Sequence, residues 1–143
     1  MDFFVPGVPK PGGSKRAIYN AKLGRSLVIE DCKGNKDWRA VVALAAQQAR
    51  GNEPLMSGAI DLRVEFVLPR PKHHFRANGQ LKPTAPFWHT SKPDATKLLR
   101  ALEDALTKIA WNDDAQVAYQ EVRKRYGTDP GACVVIKHIR LDK

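Results

Sequence analysis

Residues 59–68 read Ala-Ile-Asp-Leu-Arg-Val-Glu-Phe-Val-Leu, and their alternation decides the fold. Ile60, Leu62, Val64, Phe66 and Leu68 share one face, while Asp61, Arg63 and Glu65 share the other. A period of two with one apolar face is a half-buried strand, central to a sheet.

Working outward towards the C-terminus, residues 92–109 carry the strongest helical signal. At about 100° per residue, Ala95, Leu98, Leu99, Leu102, Ala105, Leu106 and Ile109 fill one arc and form a core stripe. Thr96, Lys97, Arg100, Glu103, Asp104, Thr107 and Lys108 fill the polar arc. Ser91 is placed to cap this helix, and Pro93 suits its first turn. Asp94 falls at the border between the arcs, where a carboxylate can face a cleft. Asn112-Asp113-Asp114 is a turn. Residues 116–125 predict a strand with a bulge near Glu121. After the turn Thr128-Asp129-Pro130-Gly131, the Val- and Ile-rich residues 132–141 predict the last strand.

Working outward towards the N-terminus, Trp38, Val41, Val42, Ala45 and Ala49 set a helix over 37–50, stopped by Gly51-Asn52. Residues 17–19 and 26–29 pair across a turn at 20–25, and 3–5 form a short strand ended by Pro6-Gly7. The expectation is an α+β fold, a mixed β-sheet with two main helices. A length of 143 residues suits a single domain over 1–143.

A hydrophobic fraction of 43% excludes collagen, long disorder and low-complexity repeats. No run of about 18 apolar residues exists to span a membrane. The opening MDFFVPGVPK lacks the basic start and long apolar run of a signal peptide. Two cysteines, Cys32 and Cys133, make neither a disulfide framework nor a four-thiolate zinc site, so reduced thiols and a cytoplasmic location are expected.

Charge is the informative quantity. Lys+Arg is 24 against Asp+Glu 15, a net +9, which favours a polyanionic partner such as nucleic acid. The excess is concentrated. Residues 8–29 hold Lys10, Lys15, Arg16, Lys22 and Arg25 without an acid, and 70–93 hold Arg70, Lys72, Arg76, Lys82 and Lys92 without one. The second stretch adds His73, His74, His89, Phe75, Phe87 and Trp88, and four prolines deny it a regular helix. Such a loop can track phosphates and stack on bases, or be a plain surface loop. In the first stretch, Gly12, Gly13 and Ser14 can bring backbone N–H groups near a phosphate but lack P-loop spacing.

Carboxylates are scarce beside these regions, which singles out Asp94 and the pair Asp113-Asp114. Spacing alone does not bring them together, and their plainer roles are a helix-dipole partner and a turn. Where they do meet, phosphodiester hydrolysis is the matching chemistry. Oxygen ligands suit Mg²⁺ or Mn²⁺, and Arg100 or Lys97 can steady transition-state charge.

The runs Lys92-Pro93-Asp94-Ala95-Thr96-Lys97-Leu98-Leu99-Arg100, Asp104-Ala105-Leu106-Thr107 and Trp111-Asn112-Asp113-Asp114-Ala115-Gln116-Val117, with Arg123-Lys124-Arg125-Tyr126-Gly127, resemble the RusA family of Holliday junction resolvases. The resemblance implies a small homodimeric α+β endonuclease that cuts four-way DNA junctions with Mg²⁺, Mn²⁺ being a possible substitute. Carried over residue by residue, the catalytic set is Asp94, Arg100 (usually lysine) and Asp114. The metal set is Asp94, Asp113 and Asp114, and the DNA contacts are Lys10, Lys15, Arg16, Lys92 and Lys97. One departure stands out: the second acid of the family's Asp-x-Asp falls on Thr96, and the next position, often Asn, on Lys97. A hydroxyl is a weaker ligand than a carboxylate, so Asp113 or Asp104 compensates or activity falls. The competing expectations are a non-catalytic module that binds branched DNA and an RNA- or single-strand-binding protein built on the aromatic basic loop.

Overall fold

The computed structural model describes residues 1–12, 15–20, 25–30 and 35–140, and of 15–20, 25–30 and 35–36 the backbone alone. Its strands are β1 (Asp2–Pro6), β2 (Lys15–Asn20), β3 (Arg25–Glu30), β4 (Ile60–Leu68), β5 (Val117–Tyr126) and β6 (Gly131–His138). Its helices are α1 (Asn35–Arg50) and α2 (Ala95–Leu106). The main sheet runs β1-β6-β4-β5, and β2 and β3 form a separate antiparallel pair. The α+β expectation holds, and β4 is interior to the sheet as its alternation predicts.

On β4, Ile60, Leu62, Val64, Phe66 and Leu68 are buried against α1 and α2. Trp38, Val42 and Ala46 of α1 and Leu98, Leu99, Leu102 and Leu106 of α2 meet them. Each large apolar side chain so buried contributes about 1.5–3 kcal/mol. The opposite face of β4 is charged. Glu65 accepts from Arg123 Nε at 2.7 Å and Arg125 Nε at 2.8 Å, and Cys133 is exposed nearby.

β5 runs parallel to β4, from Ile60↔Val117 to Leu68↔Tyr126. Parallel neighbours need a crossover, and α2 supplies it. The N-terminus of α2 therefore sits near the ends of β4 and β5, and its C-terminus near their beginnings. The bulge lies at Ala118, where Ile60/Asp61 pair with Val117/Tyr119, rather than near Glu121.

α2 is shorter than its apolar period implies. It starts at Ala95 with Asp94 in the cap position, so neither Ser91 nor Pro93 serves as expected. It ends at Leu106, because Thr107 is extended and Lys108 turns at φ 71° to bury Trp111. Ala101, outside the expected stripe, is buried as well. The N-terminal segment covers it: Gly12 N donates to Lys97 O at 2.9 Å, and a Cβ on Gly12 would lie 3.5 Å from the Ala101 nitrogen.

The basic loop is pinned along β5. His89 N donates to Lys124 O at 3.2 Å, and Tyr126 N donates to Phe87 O at 3.0 Å. His74 and His89 are buried around Tyr126, with ring centroids 4.8 and 4.9 Å away. Phe87 and Trp88 stay exposed, edge to face. Among the described residues, no helix is long and apolar enough to cross a membrane.

Candidate active site

Two clefts lie along α2. The larger, about 470 Å³, holds Asp94 and Lys97 of the helix start, Lys92 before it, Lys10 of the N-terminal segment and His89 of the basic loop. The smaller, about 240 Å³, holds Thr96, Arg100, Glu103 and Asp104 of α2 with Asp114 and Gln120.

Asp94 occupies the cap position of α2, yet its side chain makes no capping hydrogen bond. Its carboxylate stands 3.8 Å from Lys97 Nζ instead. Lys124 of β5 lies close enough for the Asp94 charge to favour its ammonium, while burial, the larger effect, pushes its pKa down. Lys124 Nζ also donates to Ser91 O and Pro93 O, each at 2.8 Å. The start of α2 is thus held by the end of β5.

Asp113 and Asp114 divide the work of their turn. The Asp113 carboxylate accepts from Ala115 N at 2.9 Å and caps the short 3₁₀ turn Asp114–Gln116. Gln116 Oε1 accepts from Asp113 N at 2.9 Å, and its Nε2 donates to Met56 O at 3.0 Å and Gly58 O at 3.1 Å. This anchors the turn beside β4 and presents Asp114 to the second cleft. There Glu103 is half-buried and hydrogen-bonded by Gln120 Nε2. Burial pushes the Glu103 carboxyl above the usual range, and the Asp114 charge pushes it further. Like charges facing one another in a half-buried cleft are what a cation relieves.

The expected residues are therefore brought together in two groups. Thr96, Arg100, Asp104 and Asp114 share one cleft, and Lys10, Lys92, Asp94 and Lys97 share the other. Asp94 and Asp114 do not line the same cleft. Glu103, beside Asp114, is nine residues beyond Asp94, about 13 Å along the axis at 1.5 Å per residue. Asp113 is engaged as a cap. The Lys15 and Arg16 side chains and Cys32 lie outside the described residues.

Glu103, Gln120 and Lys124 were not singled out from sequence. A signal for Glu103 was present, since Thr96, Arg100 and Glu103 recur at 0, +4 and +7 on one helix face. Gln120 and Lys124 lie on a different element, and nothing in the local sequence, the Arg123–Gly127 run included, ties them to α2.

The chemistry that the RusA resemblance implies calls for a divalent cation. The donors of the second cleft are all oxygens: carboxylates of Glu103, Asp104 and Asp114, the Thr96 hydroxyl and the Gln120 amide. Among the described residues, no three His, Cys, Asp or Glu side chains converge as a ready cage. Mg²⁺ binds through one or two carboxylates with waters and substrate phosphate, so the residues present fit it.

The chain is 30% identical over 148 residues to the uncharacterized protein YqaN of Bacillus subtilis (strain 168), spanning 97% of this chain and 96% of that protein. It is 30% identical over 76 residues to the crossover junction endodeoxyribonuclease rusA of Lactococcus phage r1t, spanning 44% of this chain and 58% of that protein. The sequence profile of endodeoxyribonuclease RusA matches residues 6–137, and the chain belongs to that family.

Proposed function

We propose that the protein is a divalent-metal-dependent, structure-selective endodeoxyribonuclease that resolves four-way (Holliday) DNA junctions in recombination and repair. The observation that carries this reading is the return of Asp114 to the Thr96–Arg100–Glu103 face of α2, beside a cleft rimmed by Lys10, Lys92 and Lys97.

Lys10, Lys92 and Lys97 hold backbone phosphates, which fixes position without reading sequence. Arg100 offers a planar, always-charged donor set to the equatorial oxygens of the phosphate under attack. Asp114 and Glu103 hold the cation, assisted by Asp104, while Asp94 lies about 13 Å from Glu103 along the helix axis. A bound Mg²⁺ or Mn²⁺ supplies charge neutralisation and a more acidic water. Junction choice rests on shape and on a homodimer, because two opposed cuts need two sites.

Thr96 favours a second reading, a protein that binds branched DNA without cutting it. A hydroxyl there leaves the cleft one negative charge short of the family pattern.

Cleavage of a synthetic junction decides between them. Asp114→Asn and Glu103→Gln are expected to abolish Mg²⁺-dependent cutting while gel-shift binding persists, and Arg100→Ala to slow it by about 10²–10³. Full cutting by the Asp114→Asn variant overturns the nuclease assignment. Wild-type protein that retains junctions yet never nicks them in Mg²⁺ or Mn²⁺ establishes the second reading.

A further inference from the structure

The larger cleft has a feature that phosphate contacts do not use: its floor is apolar. Pro9, Pro11, Leu68 and Pro69 line it, alongside Lys10, Lys92, Lys97 and Asp94. His89 also lines it, is only 8% exposed, and has a buried Nδ1 without a hydrogen-bond partner among the described residues. A volume of about 470 Å³ lies within the 300–1,000 Å³ typical of small-molecule sites.

We propose that this cleft receives a single nucleobase displaced from the stack near the branch point of the DNA, so that its lining supplies base preference to the cut. The inference rests on the nuclease reading and deepens it. Three lysines select a polyanion, and the proline and leucine floor suits a flat, weakly hydrated ring. An anion alone would make no use of that apolar surface. Burial, reinforced by the Lys124 ammonium, pushes the His89 pKa down, so its imidazole is neutral. A neutral ring brings no charge to attract a phosphate, so it suits an uncharged base better.

The cleft is close enough to the smaller one to act on the same strand. Lys97 and Arg100 lie three residues apart on α2, about 4.5 Å along its axis. A strand rises about 3.4 Å per nucleotide, so one backbone reaches both clefts within one or two nucleotides. Bases at a branch are the least costly to unstack, which links the pocket to the branched substrate.

The test uses the full chain with isotope-labelled histidine, observing the His89 imidazole by NMR. The four deoxynucleoside 5′-monophosphates are expected to shift it, to different extents, while inorganic phosphate does not. His89→Leu is expected to reduce discrimination among the four by about two- to tenfold, the worth of one hydrogen bond. Lys92→Gln, an exposed change that leaves the core intact, is expected to weaken all four alike and to lower the salt slope of junction binding by about one.

An equal shift from inorganic phosphate overturns the proposal in favour of a plain anion site. No shift from any nucleotide, with junction binding and cutting intact, overturns it while the nuclease reading stands. Nucleotide shifts without junction binding or cutting support the pocket and remove the nuclease reading.

Discussion

Lys124 Nζ donates to the Pro93 carbonyl oxygen over 2.8 Å, tying the end of β5 to the residue before the Asp94 cap. The same ammonium donates to Ser91 O at 2.8 Å. One side chain therefore fixes where α2 begins and holds a positive charge beside the Asp94 carboxylate.

Lys124→Met keeps the aliphatic stem and removes both bonds. The expected loss is about 1–3 kcal/mol of stability, read from urea denaturation, with junction cleavage falling more than junction binding. Unchanged stability and cleavage would show that the helix start is set by packing alone.

Thr96 lines the cleft of Asp114 and Glu103 but contributes no charge. Thr96→Asp restores the family's second acid. Cleavage at limiting Mg²⁺ is expected to rise on the order of tenfold, in step with tighter Mn²⁺ binding. A variant that binds and cuts like the parent would remove Thr96 from the site.

Glu103 carries a cost in the metal-free protein, because burial and the Asp114 charge both oppose its ionised form. Glu103→Gln is expected to stabilise the protein in chelator by a few tenths of a kcal/mol, read from urea denaturation. The same variant is expected to lose the stabilisation that Mn²⁺ gives the parent. Opposite signs for the two effects separate a cation-binding carboxylate from one that merely packs.

Burial lowers the pKa of both His74 and His89 below the ordinary 6.5. Adding to burial in the same direction are His73, Arg70 and Lys82 beside His74, and Lys124 beside His89. The folded state then binds fewer protons than the unfolded state, so stability is full above pH 6.5 and is lost as pH falls from 6.5 through the folded values. A denaturation series between pH 7.5 and 5 is expected to show this decline, and His89→Phe to flatten part of it. A parent protein with constant stability across that range would show that the two rings titrate normally.

Much of the fold was legible in sequence because it rests on local periodicity. The alternation of Ile60 to Leu68 identified the buried face of β4, and the spacing of Leu98, Leu99, Leu102 and Leu106 identified the buried face of α2. The ends of α2 were less legible. Its cap at Asp94 depends on Lys124 holding the preceding carbonyls, and its stop at Leu106 depends on burying Trp111.

Sequence alone determined which chemistry-bearing residues the chain owns: Asp94, Arg100, Asp113, Asp114 and the lysines near them. Only the tertiary structure decided how they group, because β5 pairs parallel to β4 and α2 must cross between them. That crossover delivers Asp114 to Glu103 at one end of the helix and Lys124 to Asp94 at the other. Period and composition are properties of neighbours along the chain, whereas a cleft is a property of which elements pack side by side.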